Sequence, residues 1–233
     1  MKRSSGFFLI GLGFVLWYLG GYYGNPTHVN LGIASLILGV VLLSLFYDEK
    51  NEQNKLTPLC SSYCEFLEKL VKDADLKGKP VVIPPYENLP DGGIFFIPKD
   101  NYPISLGRVD QNSVLLQDGT LLVSPPPGWE IVKITIKNVG DLSGVGVSYA
   151  SSAVLSTLNT LGSGDGTVFE LEDIVEVYVR YSCAPSIFDP SVGALLLSVA
   201  YGANSLYSIE SIERSGNYLK IKLRPLGEVE RWL

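Results

Sequence analysis

Three cysteines and a single histidine are the side chains in this sequence best suited to covalent or metal chemistry. Cys60 and Cys64 stand four apart in a stretch of helical spacing, so they share one helix face. Cys183 lies far along the chain. A zinc site wants four ligands, usually from tighter Cys-x2-Cys pairs joined by His or more Cys, and three thiols fall one short. An odd, low cysteine count is not a secreted disulfide framework and fits a reducing compartment. The three thiols are therefore expected to be buried packing residues.

Hydrolysis by a Ser or Cys nucleophile needs a neighbouring base, most often His. The sole histidine, His28, sits in the connector Gly24–Asn30, outside the stretch that reads as a folded domain. Gly144-Val145-Gly146, just before a helix that opens near Ser148, could turn backbone N–H groups toward an anion. Gly144, Gly146 and Ser148 are the candidate ligand residues on this reading, although no P-loop Lys follows and no G-x-G-x-x-G is present. The carboxylates Glu170, Glu172, Asp173 and Glu176 form an acidic cluster. Glu172 and Glu176 would lie roughly 13 Å apart along a strand, wide for an acid/base pair, so a solvated face is expected. No catalytic residue, no metal and no cofactor is expected from these patterns.

The elements that must position these residues follow from periodicity. Pro58–Leu76 carries Leu59, Tyr63, Phe66, Leu67, Leu70 and Val71 at helical spacing. Val81–Ile83 and Gly93–Ile97 read as short strands in Pro-rich surroundings. Ser113–Gln117 and Thr120–Ser124 flank Asp118-Gly119, the composition of a two-residue hairpin turn. Trp129–Val139 is ambiguous: Val132, Ile134 and Ile136 alternate with polar residues, whereas Trp129, Val132, Ile136 and Val139 fall near one helix face. Its β-branched content favours a strand. Ser148–Leu161 reads as a helix, and Glu172–Tyr181 as a strand with valines at alternate positions. Asp189-Pro190 opens a buried helix, with an N-cap acid and Pro at the first turn. Leu206–Glu213 and Tyr218–Arg224 form a closing hairpin. Together these segments predict an α+β domain over residues 58–233.

Ahead of that domain lie two uncharged runs, Phe7–Tyr23 and Leu31–Tyr47, with no Asp, Glu, Lys or Arg between Ser4 and Tyr47. A bilayer core about 30 Å thick needs roughly 17–25 helical residues, so residues 1–47 are expected to form a transmembrane helical hairpin, retained rather than cleaved as a signal peptide. Residues 48–57 read as a polar linker. Lys2 and Arg3 before the hairpin, and Lys50 and Lys55 after it, place both ends on the cytoplasmic side of a cell membrane. Small residues at Gly6, Gly13, Gly20, Gly32, Ser35 and Gly39 mark a face on which the two helices, or a partner subunit, can pack closely.

The 233 residues carry a formal net charge of −6. Without the first 47 residues the balance is 16 basic to 24 acidic, which disfavours nucleic acid as a partner. Membrane lipids, and other subunits or a second copy of the chain, are the expected partners.

The layout of two N-terminal spans, a helix such as YCEFLEKLVKDADL, Pro-rich strands, the segment GTVFELEDIVEVYVRYS and the helix FDPSVGALLLSVAYG with its closing hairpin resembles an uncharacterised archaeal family of two-span membrane proteins. That resemblance implies a tethered soluble domain and supplies no activity. By fold-level analogy, the ending is also similar to small-molecule-sensing domains of the vinyl-reductase type. The function expected is a non-catalytic, membrane-anchored scaffold or assembly subunit whose soluble domain mediates protein–protein contacts, the alternative being a tethered small-molecule or lipid sensor.

Overall fold

A computed structural model describes residues 2–99, 104, 106–109 and 119–233, with the side chains of residues 2–6 and 42–56 left undescribed. The chain divides into two compact units, Met1–Leu59 and Cys60–Leu233.

The first unit is a helical hairpin. Helix α1 spans Lys2–Tyr22, and helix α2 spans Pro26–Asp73, so that its C-terminal turns belong to the second unit. Asn25 starts the return, its Oδ1 accepting the Thr27 N–H at 3.0 Å. The arms meet along a seam of small residues. Gly13, Gly20, Gly32 and Gly39 are buried. A Cβ on Gly13 would lie 2.7 Å from Leu36 Cγ, and one on Gly32 would lie 2.6 Å from Trp17 N. Ser35 Oγ donates to the Leu9 carbonyl at 2.9 Å. Gly6 lies in α1, and its surroundings fall outside the described residues.

The transmembrane reading of this hairpin is corrected. Among the described residues no helix is long and apolar enough to cross a membrane. The expected membrane location, with the α+β domain held at its inner side, loses its basis with it. The uncharged runs lie at the short end of what a bilayer needs, and glycines thin them. The second run is also only part of a longer helix. The segment 48–57, read as a linker, continues α2 in backbone conformation, and its charged side chains lie outside the description.

The second unit is α+β, as its patterning predicts. Among the described residues, seven strands form one antiparallel sheet in the order β3-β2-β1-β6-β7-β5-β4. They are β1 Val81–Ile83, β2 Gly93–Phe96, β3 Leu121–Val123, β4 Gly166–Glu170, β5 Val175–Arg180, β6 Ser205–Ser215 and β7 Tyr218–Glu228. Ser113–Asp118, the first arm and turn of the predicted Asp-Gly hairpin, lie outside the described residues. Helices α3 (Trp129–Val139), α4 (Val147–Leu161) and α5 (Pro190–Ala203) complete the unit.

The period of two explains the core. Val82, Ile94, Phe96 and Leu121 join the main core with α5, while Val81, Ile83, Phe95, Ile97 and Leu122 point to a second core that Leu106, Leu206 and Val229 also line. Both faces are covered at this end of the sheet, which is why β1 and β2 are continuously apolar. At the other end β5 buries Val175, Val177 and Val179 and leaves the alternate positions less covered. Glu176, on the outer face of β5, pairs with Lys220 at 3.2 Å and Lys222 at 3.7 Å. The hydrogen bond to Lys220, ahead of the neighbouring positive charges, holds its carboxyl below the ordinary range.

Trp129–Val139 is a helix, against the strand that its β-branched residues favour. Trp129, Val132 and Thr135 are the buried positions, and Thr135 Oγ1 bonds both the Ile131 carbonyl (2.9 Å) and Thr157 Oγ1 of α4 (2.8 Å). Packing on α4 and α5 overrides a propensity worth less than about 1 kcal/mol per residue. Helix α5 is buried on every side from Ser191 to Ala200, as its all-round apolar composition requires, and it is capped at Asn204 in the left-handed conformation.

Candidate functional site: a three-cysteine cluster beside a buried carboxylate

The last turns of α2 lie in the second unit and place Cys64 (1% exposed) and Leu67 in the main core, with Cys60 and Val71 packed at its margin. Between β5 and α5 the chain turns through Ser182-Cys183-Ala184. This turn is organised by Asp189, which is 0% exposed.

Asp189 is the N-cap of α5 and accepts the Ser191 N–H at 3.0 Å. Its carboxylate also accepts the backbone N–H groups of Ser182 (3.0 Å), Cys183 (2.8 Å) and Ala184 (3.2 Å), and the Ser182 hydroxyl at 3.1 Å. A buried carboxylate is tolerable only when it is matched in this way or by a cation. Among the described residues no Lys or Arg forms an ion pair with it.

The Asp189 turn delivers Cys183 to the face of α2 that carries the i, i+4 pair. The Sγ atoms of Cys60, Cys64 and Cys183 all lie within 4.8 Å of one another. Cys60 and Cys183 are joined as a disulfide across 123 residues of sequence, with Cα atoms 6.0 Å apart. Cys64 is free and buried. Asp189 Oδ2 lies 3.2 Å from Cys183 Sγ. The expectation that all three cysteines are packing residues is thus corrected for Cys60 and Cys183. Burial first, and the Asp189 charge second, push the Cys64 thiol up to about 11. Cys64 of the folded chain is expected to resist iodoacetamide at neutral pH and to react stoichiometrically once the chain is unfolded in urea, as read by peptide mass.

The glycine loop is placed differently from an open anion cradle. Gly144 N–H bonds the Tyr201 carbonyl at 3.1 Å, and Gly146 N–H bonds the Gly202 carbonyl at 2.8 Å, so both donors are occupied within the protein. Ser148 Oγ lies 3.5 Å from Glu170 Oε2. The loop is pinned further by Tyr201 Oη, which donates to Asp141 Oδ1 at 2.7 Å. That bond holds the Asp141 carboxyl below its usual range. A shallow, open depression of ≈ 580 Å³ along α4 is lined by Ser152, Leu155, Ser156, Asn159 and Thr160, none of them titratable near neutral pH.

Sequence reasoning noticed the i, i+4 cysteines and missed their convergence with Cys183 and Asp189. The available signal was Asp189-Pro190, read only as a helix start. Nothing in the spacing announces that the same carboxylate gathers the turn holding the third cysteine. Comparison with protein-family models, with curated proteins and with solved structures found no match, so the family resemblance rests on sequence layout alone.

Proposed function

We propose that the protein is a non-catalytic subunit of an assembly, and that its helical hairpin is the contact surface, met by the hairpin of a second copy. The observation that carries this is the surface of α1 and α2. Sixteen large apolar or aromatic residues between Phe7 and Val41 are exposed, among them Phe8 (69%), Tyr18 (70%), Ile37 (61%) and Leu38 (54%), while the glycine seam is the buried part. Monomeric proteins seldom leave apolar patches beyond about 300–600 Å² uncovered, and larger ones mark interaction sites. The partner must be apolar and uncharged, since no ionisable side chain other than that of His28 and the tyrosines interrupts Phe7–Tyr47. A second hairpin meets both conditions. The α+β unit supports a structural part: it has no histidine, and the α4 depression has no acid or base.

Sedimentation of the full chain in aqueous buffer tests this. A dimer or larger species is expected, and Phe14→Glu with Ile37→Glu, one exposed position on each arm, should shift it to monomer with unchanged far-UV circular dichroism. A full chain that sediments as monomer at micromolar concentration would sink the proposal. Flotation with phosphatidylcholine vesicles at the expense of the oligomer would do so too, since the occupant would then be lipid.

A further inference from the structure

We propose that Cys60, Cys64 and Cys183, when all three are reduced, bind one thiophilic divalent cation, zinc(II), as a set of three thiolates. Three thiol donors from two separated parts of the chain meet here. Two come from one face of α2 at i, i+4, and one comes from the β5–α5 turn. The three sulfurs lie within 4.8 Å of one another. In a tetrahedral zinc site with Zn–S near 2.3 Å, neighbouring sulfurs fall roughly 3.8 Å apart. Reduction frees the Cys60 and Cys183 sulfurs to separate toward that spacing.

Asp189 positions the set: its carboxylate accepts the backbone N–H groups of Ser182, Cys183 and Ala184 and so fixes the turn that presents the Cys183 sulfur, as carboxylates beyond the ligands do in metal sites. A packing role explains Cys64 less well. A methyl or isopropyl group would fill an apolar core position, yet the side chain there is a thiol aimed at two other sulfurs. Soft thiolates select zinc over magnesium or calcium, and with three protein ligands the site keeps a fourth position for a water or other exogenous donor. It would hold the end of α2 against the turn before α5.

The disulfide seen here is then the oxidised alternative of the same cluster. A low-molecular-weight disulfide can convert one into the other. The Cys60 and Cys183 thiolates lose two electrons and form the S–S bond, and the oxidant is cleaved to two thiols. Zinc leaves, and three protons are taken up, two by the new thiols and one by Cys64.

The test uses the full chain, purified anaerobically with reductant and dialysed against zinc(II) or cobalt(II). One equivalent of zinc per chain should survive gel filtration. The cobalt form should show thiolate-to-cobalt charge-transfer absorption that oxidised glutathione abolishes as metal is released. Cys64→Ser should weaken zinc more than about tenfold in a chelator competition. Its oxidised form, which keeps the Cys60–Cys183 bond, reports by circular dichroism whether the variant folds. A reduced, folded chain with three titratable thiols and no retained metal would overturn the proposal. So would cobalt bound without the charge-transfer band, or a folded Cys64→Ser variant that binds zinc as tightly as the parent.

Discussion

Asp189→Ala is expected to lower the unfolding free energy of the α+β unit by about 3–5 kcal/mol, in the exceptional range for one substitution. Four backbone N–H groups, those of Ser182, Cys183, Ala184 and Ser191, lose their acceptor together. Leaving a buried donor unsatisfied costs about 1–3 kcal/mol, and water entering the truncated site recovers part of that. Loss of the N-cap of α5 adds about 1 kcal/mol, and α5 is the helix on which α3, α4 and the sheet all pack. Asp189→Asn separates geometry from charge. It keeps one acceptor oxygen in place, so about half the loss should return. Urea titrations followed by Trp129 fluorescence and by far-UV circular dichroism measure both. A midpoint for the Ala variant within error of the parent would show that the turn is held by other means.

Gly193→Ala is expected to destabilise the same unit by about 2–3 kcal/mol, although Ala ordinarily favours a helix interior by about 1 kcal/mol over Gly. The added Cβ would press into the Pro127 carbonyl oxygen, with the Pro127 carbonyl carbon at 3.0 Å. The contact is reciprocal: a Cβ on Gly128 would meet the Pro190 carbonyl oxygen and, at 2.6 Å, Ala194 N. Both sides are backbone, so neither can swing away as a side chain could, and forced overpacking costs about 1–3 kcal/mol or more. Gly11→Ala is the control. It lies in α1 with nothing within 4 Å of the new methyl, and should be neutral or slightly stabilising. If Gly193→Ala behaved like Gly11→Ala, the close crossing of the Pro127–Gly128 turn over α5 would be wrong.

Much of the second unit is legible in the residue pattern. Val175, Val177 and Val179 alternate because one face of β5 is buried, and Asp189-Pro190 marks the start of α5 because capping and a preset φ are local properties. Trp129–Val139 was not legible. Its strand and helix patterns overlap, and the choice lies with Thr157 and α5, elements that the local sequence does not contain. The setting of the hairpin was read too far. Freedom from charge over Phe7–Tyr47 is compatible with a bilayer, and it does not by itself supply a helix long and apolar enough to cross one.

From its own sequence the chain determined that the valine-alternating segment at Val175–Arg180 and the closing hairpin are extended, which helix is wrapped on all sides, and that the α+β unit has no histidine. These depend on neighbours a few residues away, or on composition. Only tertiary structure decided that Cys60, Cys64 and Cys183 converge, on a turn held by the buried Asp189. Their meeting depends on how α2, the β5–α5 turn and α5 stack, and a separation of 123 residues carries no local trace of that packing.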